Sequence, residues 1–228
     1  NLAIIPARGG SKRIPRKNIK DFLGKPIIAY SIEAALKSGL FEEVMVSTDD
    51  EEIVEVAKNF GASVPFLRSA KNATDSATTI AVINEVLVKY HSSLRKSFKY
   101  VCCIYPTAPL IESKDIVNGF NILLEKNYQV LFPVAPFSYP IWRGLERDET
   151  GLTRMIWPEN INARSQDLIR VYHDSGQWYW FDSTMIKEGF YSSNTGTIVL
   201  DEMSVQDIDN LEDWKMAELK YKLKHDGE

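Results

Sequence analysis

The chain predicts a single α/β domain, residues 1–228, built on a doubly wound and mainly parallel sheet. Three observations lead there. Short apolar runs alternate with segments of helical periodicity, as in repeated βα units. At 228 residues with 44% hydrophobic side chains, the chain can bury one sizeable core. A cationic, glycine-bearing turn directly follows the first apolar run, which is the carboxyl end of a strand, where open α/β sheets place their ligands.

Residues 2–7 are apolar and end in Pro6-Ala7-Arg8-Gly9-Gly10, the pattern of a buried strand entering a loop. Residues 26–37 carry Ile28, Ile32, Ala35 and Leu36 at helical spacing, open on a proline whose missing N–H costs nothing there, and stop at Gly39. Val44 to Ser47 reads as a strand. Thr48 with Glu51 three positions on offers a capping box for a helix running towards Gly61. Further helices are expected over 78–91 and over 115–126 with Ser113 as cap, and strands over 100–105 and 130–134. From about 136 to 176 the periodicity fails, and Pro136, Pro140 and Pro158 interrupt a stretch rich in aromatics and arginines, as expected of an inserted lobe. Strands at 177–182 and 197–201 and a closing helix over 210–224 complete the reading.

Composition excludes some classes. With 27 basic and 31 acidic residues the formal charge is −4, unlike the basic surface that non-specific nucleic-acid binding requires. No apolar run approaches a membrane span and no signal-like segment opens the chain, so the expectation is a cytoplasmic protein. The two cysteines, Cys102 and Cys103, are neighbours on an expected strand, point to opposite faces, and are read as reduced, buried hydrophobes.

The segment from Pro6 to Asn18 places Arg8, Lys12, Arg13, Arg16 and Lys17 among Gly9, Gly10 and two prolines. Glycines let backbone N–H groups approach phosphate oxygens, and the cations add charge-assisted hydrogen bonds, so a polyanion belongs there. The loop is neither a Walker A sequence nor a G-x-G-x-x-G turn. At the other end, Asp207 and Asp209 stand two apart in an extended segment, so their carboxylates project to one side and could share a hard cation. The plainer reading of that pair is N-terminal charging of the last helix.

The strings Ile5 to Lys12 and Ile14 to Ile19 resemble the signature of the CMP-sialic acid synthetase family of cytidylyltransferases. Ser47-Thr48-Asp49, Arg68-Ser69, Asp75 to Thr79, Tyr105 to Leu110 and Asp207-Ile208-Asp209 follow in that family's order over nearly the whole chain. The resemblance implies a Rossmann-like sheet of the nucleotide-diphospho-sugar transferase type with a small dimerisation lobe, a homodimer, and transfer of CMP from CTP to an acidic nine-carbon sugar with Mg²⁺. It implies that Arg8, Gly9, Gly10, Ser11, Lys12, Lys17 and Asn18 hold the CTP phosphates, that Arg68 with Thr78 and Thr79 recognises cytosine and ribose, and that Asp207 and Asp209 carry the metal. Arg8, Lys17, Asp207 and Asp209 would then form the catalytic set.

Tyr105 stands where sialic acid synthetases usually carry glutamine, and Arg13 where they carry glycine. Ser11 to Ile14, Cys102 to Pro109, Arg164 to Leu168 and His173 to Gln177 resemble instead the branch that uses pseudaminic acid. Arg164 is the candidate for the sugar carboxylate, with Tyr105, Gln177, Tyr179 and Phe181 shaping the rest of that subsite. His173 beside Asp174 is read as a structural hydrogen-bond partner rather than a proton carrier. Rival acceptors are N-acetylneuraminate, legionaminate and 3-deoxy-octulosonate. A rival of another class is a nucleotide-binding regulatory module without turnover, and a weaker one a phosphosugar hydrolase.

Overall fold

A computed structural model of the chain describes residues 1–185 and 189–225. Five parallel strands form the frame of one sheet: β1 (Leu2–Pro6), β4 (Glu43–Ser47), β5 (Tyr100–Ile104), β6 (Val130–Pro136) and β11 (Thr195–Val199). With β10 (Trp178–Asp182) inserted, the spatial order is β11-β6-β10-β5-β1-β4. β10 lies antiparallel between β5 and β6, so the sheet is mainly rather than wholly parallel. β9 (Tyr172–Asp174) pairs antiparallel with the far end of β6. β9 and β10 are separated by Gly176, whose φ of 65° lies in the left-handed region that a side chain disfavours.

Side-chain alternation divides the core between the two faces of this sheet. Ala3, Ile5, Val44, Val46, Cys102 and Trp180 face the helices α1 (Ile27–Ser38), α2 (Glu51–Asn59) and α4 (Ser113–Glu125). Leu2, Ile4, Met45, Cys103, Phe132 and Phe181 face α3 (Thr79–Leu94). The expected doubly wound arrangement is thus present, and the adjacent cysteines lie on opposite faces, both buried and free. A third cluster joins Ile14, Phe22, Ile27 and Tyr30 near the amino end to Ile208, Trp214 and Ala217 before and within α5 (Leu211–His225). Phe22 belongs to a small hairpin of β2 (Asp21–Phe22) and β3 (Lys25–Pro26).

Two caps differ from the sequence expectation. The cap of α2 is Asp50, whose carboxylate accepts from the backbone N–H of Glu52 and Ile53 at 3.1 Å each, while the Thr48 hydroxyl accepts from Asp50 N–H at 3.2 Å. The helix starts later because the charged acceptor two residues downstream reaches its free N–H groups directly. In α4, Ser113 is the first helical residue, and Glu112 at the cap makes no side-chain capping bond.

Between β6 and β9 the chain leaves the sheet in a lobe that holds a hairpin of β7 (Leu145–Arg147) and β8 (Thr153–Met155) and short 3₁₀ turns. Tyr139, Leu152 and Ile169 there are 83%, 72% and 78% exposed, so the lobe leaves large apolar side chains uncovered by its own chain.

Gly119 of α4 packs so tightly on Trp178 that an added Cβ would overlap the indole ring. Gly119→Ala is therefore expected to destabilise the fold by about 1–3 kcal/mol despite alanine's better helix propensity, a sign that urea unfolding followed by circular dichroism would read.

Candidate active site

The carboxyl ends of β1 and β5 open onto a cavity of about 430 Å³. Its wall includes Arg8, Ser11, Lys12, Arg13, Lys17 and Asn18 from the glycine-bearing loop, Arg68, Asp75 and Thr79 from the loops before α3 and its first turn, and Tyr105 to Thr107 after β5. The loop is held from behind by its own polar groups. Asn18, buried, donates its amide to the Arg8 carbonyl at 2.9 Å, and Gly9 N–H donates to Asp49 at 3.1 Å. A Cβ on Gly9 would overlap the Asp50 carboxylate, so glycine is required by close approach. Gly10 is exposed and meets nothing.

Four of the five loop cations face the cavity and one does not. Arg16 turns away and binds Asp50, the cap of α2, through both terminal nitrogens of its guanidinium, together with Glu52. Its backbone is left-handed at φ 55°, and the bonds to Asp50 hold that carboxyl below its ordinary range despite the opposing effect of burial. Arg16 thus fastens the loop to α2 and is not among the residues that line the cavity. Three of the other four meet carboxylates at the cavity rim: Arg8 and Lys12 share Asp75, and Arg13 pairs with Asp209 at 2.7 Å. Lys17 donates its ammonium to the Ile208 carbonyl at 2.7 Å. Burial lowers the Lys17 pKa, and the nearby Asp209 and Asp207 oppose that shift by favouring the charged form.

Asp207, exposed, and Asp209, half-buried, flank the fully buried Ile208, so the carboxylates lie on the side away from the core as the spacing implies. Arg68 is not a surface ion pair. It is 8% exposed, and its guanidinium donates to Ser47 through the backbone carbonyl and, at 3.1 Å, the hydroxyl. Burial lowers its pKa against the pull of Asp49 and Glu85.

Thr79 lines the cavity with its hydroxyl 3.4 Å from that of Tyr105, whereas Thr78 caps α3 by accepting from Ala81 N–H at 3.2 Å and does not reach the wall. Of the five residues assigned to the sugar, only Tyr105 lines the cavity. Tyr179 lies behind it, ring centroids 5.4 Å apart, with its hydroxyl donating to Asp174 at 2.7 Å. Gln177 is buried and donates to the Ser204 carbonyl at 2.6 Å. Phe181 pairs with Val101 at the opposite end of β5 and is core. The physical reason is strand direction: β10 runs antiparallel to β5, so each step from 177 towards 181 moves away from the ligand edge. Arg164 is exposed in the lobe and does not reach this cavity. His173 has the expected structural role, its ring against Phe137 and its Nδ1 2.9 Å from the Asp174 carbonyl.

Sequence reasoning assigned no role to Asp49, Asp75 or Glu85. Their signal in the sequence is weak, because surface carboxylates are common and only folding shows which cation each one meets.

A cation-lined cavity at the carboxyl edge of a doubly wound sheet, with a pair of carboxylates beside it, defines a nucleotidyltransferase-type site. The chain belongs to the cytidylyltransferase family, whose model matches residues 2–186. It is 42% identical to a pseudaminic acid cytidylyltransferase of Campylobacter jejuni over 100% of this chain and 98% of that protein. It is 35% identical to a CMP-N,N'-diacetyllegionaminic acid synthase of Legionella pneumophila over 95% of this chain and 94% of that one. Among solved structures, a CMP:2-keto-3-deoxy-manno-octonic acid synthetase complexed with CTP shares the fold, with a TM-score of 0.70 at 17% identity over 98% of each chain. The enzyme is accordingly a CTP-using nucleotidyltransferase.

Two consequences are testable by binding. Lys17→Ala is expected to weaken CTP binding about 10- to 100-fold, the loss of one charged hydrogen bond, while Arg16→Ala acts mainly on stability, by about 1 kcal/mol or less; calorimetry with CTP and a thermal melt separate them. Asp75→Asn frees Arg8 and Lys12 from a carboxylate that an incoming anion must displace, so binding of inorganic pyrophosphate is expected to tighten severalfold in the same calorimeter.

Proposed function

We propose that this enzyme converts CTP and pseudaminic acid into the CMP-sugar and pyrophosphate. The observation that carries the reading is the cavity in which Arg8, Lys12, Arg13 and Lys17 converge beside Asp207 and Asp209. The full-length likeness to the Campylobacter jejuni enzyme supports pseudaminic acid as acceptor, and the likeness to the legionaminic acid synthase keeps a neighbouring nine-carbon acid as the second reading.

In this reading the triphosphate lies along the loop, with Gly9 and Gly10 allowing close approach of the backbone and Arg8, Ser11, Lys12 and Lys17 donating to its oxygens. Arg68 and Thr79, on the cavity wall beyond the loop, meet the nucleoside. The anomeric hydroxyl of the sugar attacks the α-phosphorus; a C–O–P bond forms, the bond to the β-phosphate bridging oxygen breaks, pyrophosphate leaves, and the hydroxyl proton passes to solvent. Charge builds on the phosphate oxygens, so positioning and fixed positive charge dominate the rate enhancement.

The donor set suits Mg²⁺. Among the described residues no cluster of three or more His, Cys, Asp or Glu side chains is gathered as a self-sufficient metal site, but Asp207 and Asp209 stand together beside a cation-lined cavity. One or two carboxylates completed by water and substrate phosphates are what this hard ion uses. When bound, it supplies Lewis-acid neutralisation of phosphate charge. Arg13 holds Asp209 at the rim, and Lys17 holds the peptide between the two aspartates.

The exposed apolar side chains of the lobe support a homodimer formed through it, which would give Arg164, distant from this chain's cavity, a site to act in. A CTP-dependent reaction suits the cytoplasm, and among the described residues no helix is long and apolar enough to cross a membrane.

The test is to supply CTP and Mg²⁺ with each candidate acid separately and to measure pyrophosphate. Turnover is expected fastest with pseudaminic acid; preference for legionaminic or N-acetylneuraminic acid would overturn the acceptor, and no pyrophosphate with any of them would favour a regulatory module. Asp209→Ala is expected to abolish turnover with an unchanged circular-dichroism spectrum, and near-normal pyrophosphate release would remove the acid pair from the mechanism.

A further inference from the structure

Arg68 stands in a segment with little regular structure of its own. Residues 66–69 lie outside helix and strand, and a single 3₁₀ turn, Ala70–Asn72, follows. The Arg68 backbone N–H donates to the Thr48 carbonyl at 2.7 Å, and its guanidinium is spent partly on Ser47. A buried arginine that must meet a nucleotide from such a segment needs its chain neighbours fixed, because side-chain direction follows the backbone.

One carboxylate does this. Glu85 projects from α3 and is 13% exposed. It accepts from Ser69 N–H at 2.7 Å, from the Ser69 hydroxyl at 2.6 Å, and from the Asn72 amide and the Lys89 ammonium. Lys89 in turn donates to the Leu67 carbonyl at 2.7 Å, so the residues on both sides of Arg68 are tied to the same group. Burial alone would raise the Glu85 carboxyl, but the bonds from Lys89, Ser69 and Asn72 outweigh it and hold the pKa down to about 2. The clamp is therefore charged across the working range, and its negative charge also favours the charged form of the buried Arg68.

We propose that Glu85 is a positioning residue for the nucleotide, which through Ser69 and through Lys89 on Leu67 aims Arg68 into the cavity. The proposal rests on the reading of that cavity as the CTP site. Glu85→Gln keeps the size of the side chain but removes the charge that Lys89 answers and one of the acceptor sites. The Arg68 segment loosens, and the effect falls on the nucleotide side of the reaction.

The experiment is steady-state kinetics on the full chain with CTP, UTP and the acidic sugar, comparing Glu85→Gln, Ser69→Ala and Arg68→Lys, with melting temperatures alongside. Glu85→Gln is expected to raise KM for CTP about tenfold, to narrow the preference for CTP over UTP, and to leave KM for the sugar and kcat within about twofold. Ser69→Ala, which keeps the carboxylate, is expected to raise KM for CTP about threefold, and it decides the matter should Glu85→Gln fail to fold. A lowered melting temperature with KM for CTP and the CTP/UTP preference unchanged, in the presence of a raised KM in Arg68→Lys, would reduce Glu85 to a structural clamp and overturn the proposal. An Arg68→Lys enzyme with unaltered KM for CTP would instead show that Arg68 does not serve the nucleotide, and the proposal would fall with that assignment.

Discussion

The bond from the Lys17 ammonium to the Ile208 carbonyl joins residues 191 apart and makes the site possible. It is the polar seam over an apolar one: Ile208 is fully buried with Ile14, Phe22 and Trp214, so the peptide that presents Asp207 and Asp209 is fixed by the same cluster that anchors the cationic loop. The hydrophobic contact supplies the strength and the hydrogen bond the orientation. Loosen that cluster, and the two halves of a triphosphate site separate.

Charge density in the loop is sustained by matching rather than by avoidance. Arg8, Lys12 and Arg13 rest on Asp75 and Asp209, and Arg16 on Asp50 and Glu52, so repulsion among neighbouring cations is offset without a ligand. The difference between these pairs sorts structure from function. Asp50 also caps α2 and keeps Arg16 as part of the scaffold, whereas Asp75 lines the cavity and Asp209 pairs with Arg13 of its wall, where an anion can take their place. Burial of Lys17 and Arg68 weakens their hold on a proton, and the carboxylates around them compensate. The site is thus arranged in advance for the charge it must stabilise.

The helices, the parallel strands, the loop and the opposed cysteines were legible in the sequence because each rests on a local rule. Period 3.6, period 2, and a glycine or proline at a boundary act over a few residues. The placement of Arg8, Ser11, Lys12, Lys17, Asn18 and Thr79 around one cavity followed from the loop being short and from α3 beginning at the same sheet edge. What failed was equally specific. Thr48 and Asp50 both satisfy a cap pattern, and nothing local selects between them. Gln177, Tyr179 and Phe181 were assigned to a ligand edge, but β10 enters the sheet in the reverse sense and carries them away from it.

Sequence alone therefore determined the types of the main helices and sheet strands, the buried faces and the chemical character of the loop, but not the short strands β2, β3, β7, β8 and β9, since the former depend on side-chain size, hydrogen-bonding capacity and backbone freedom at each residue. Tertiary structure alone decided the direction of β10, the diversion of Arg16 to a helix cap, the position of Arg164 outside the cavity lining, and the bonding of Glu85 to Ser69 beside Arg68. Each of those outcomes depends on which distant group a side chain meets. That is settled by how the chain closes on itself, and no short window of residues contains it.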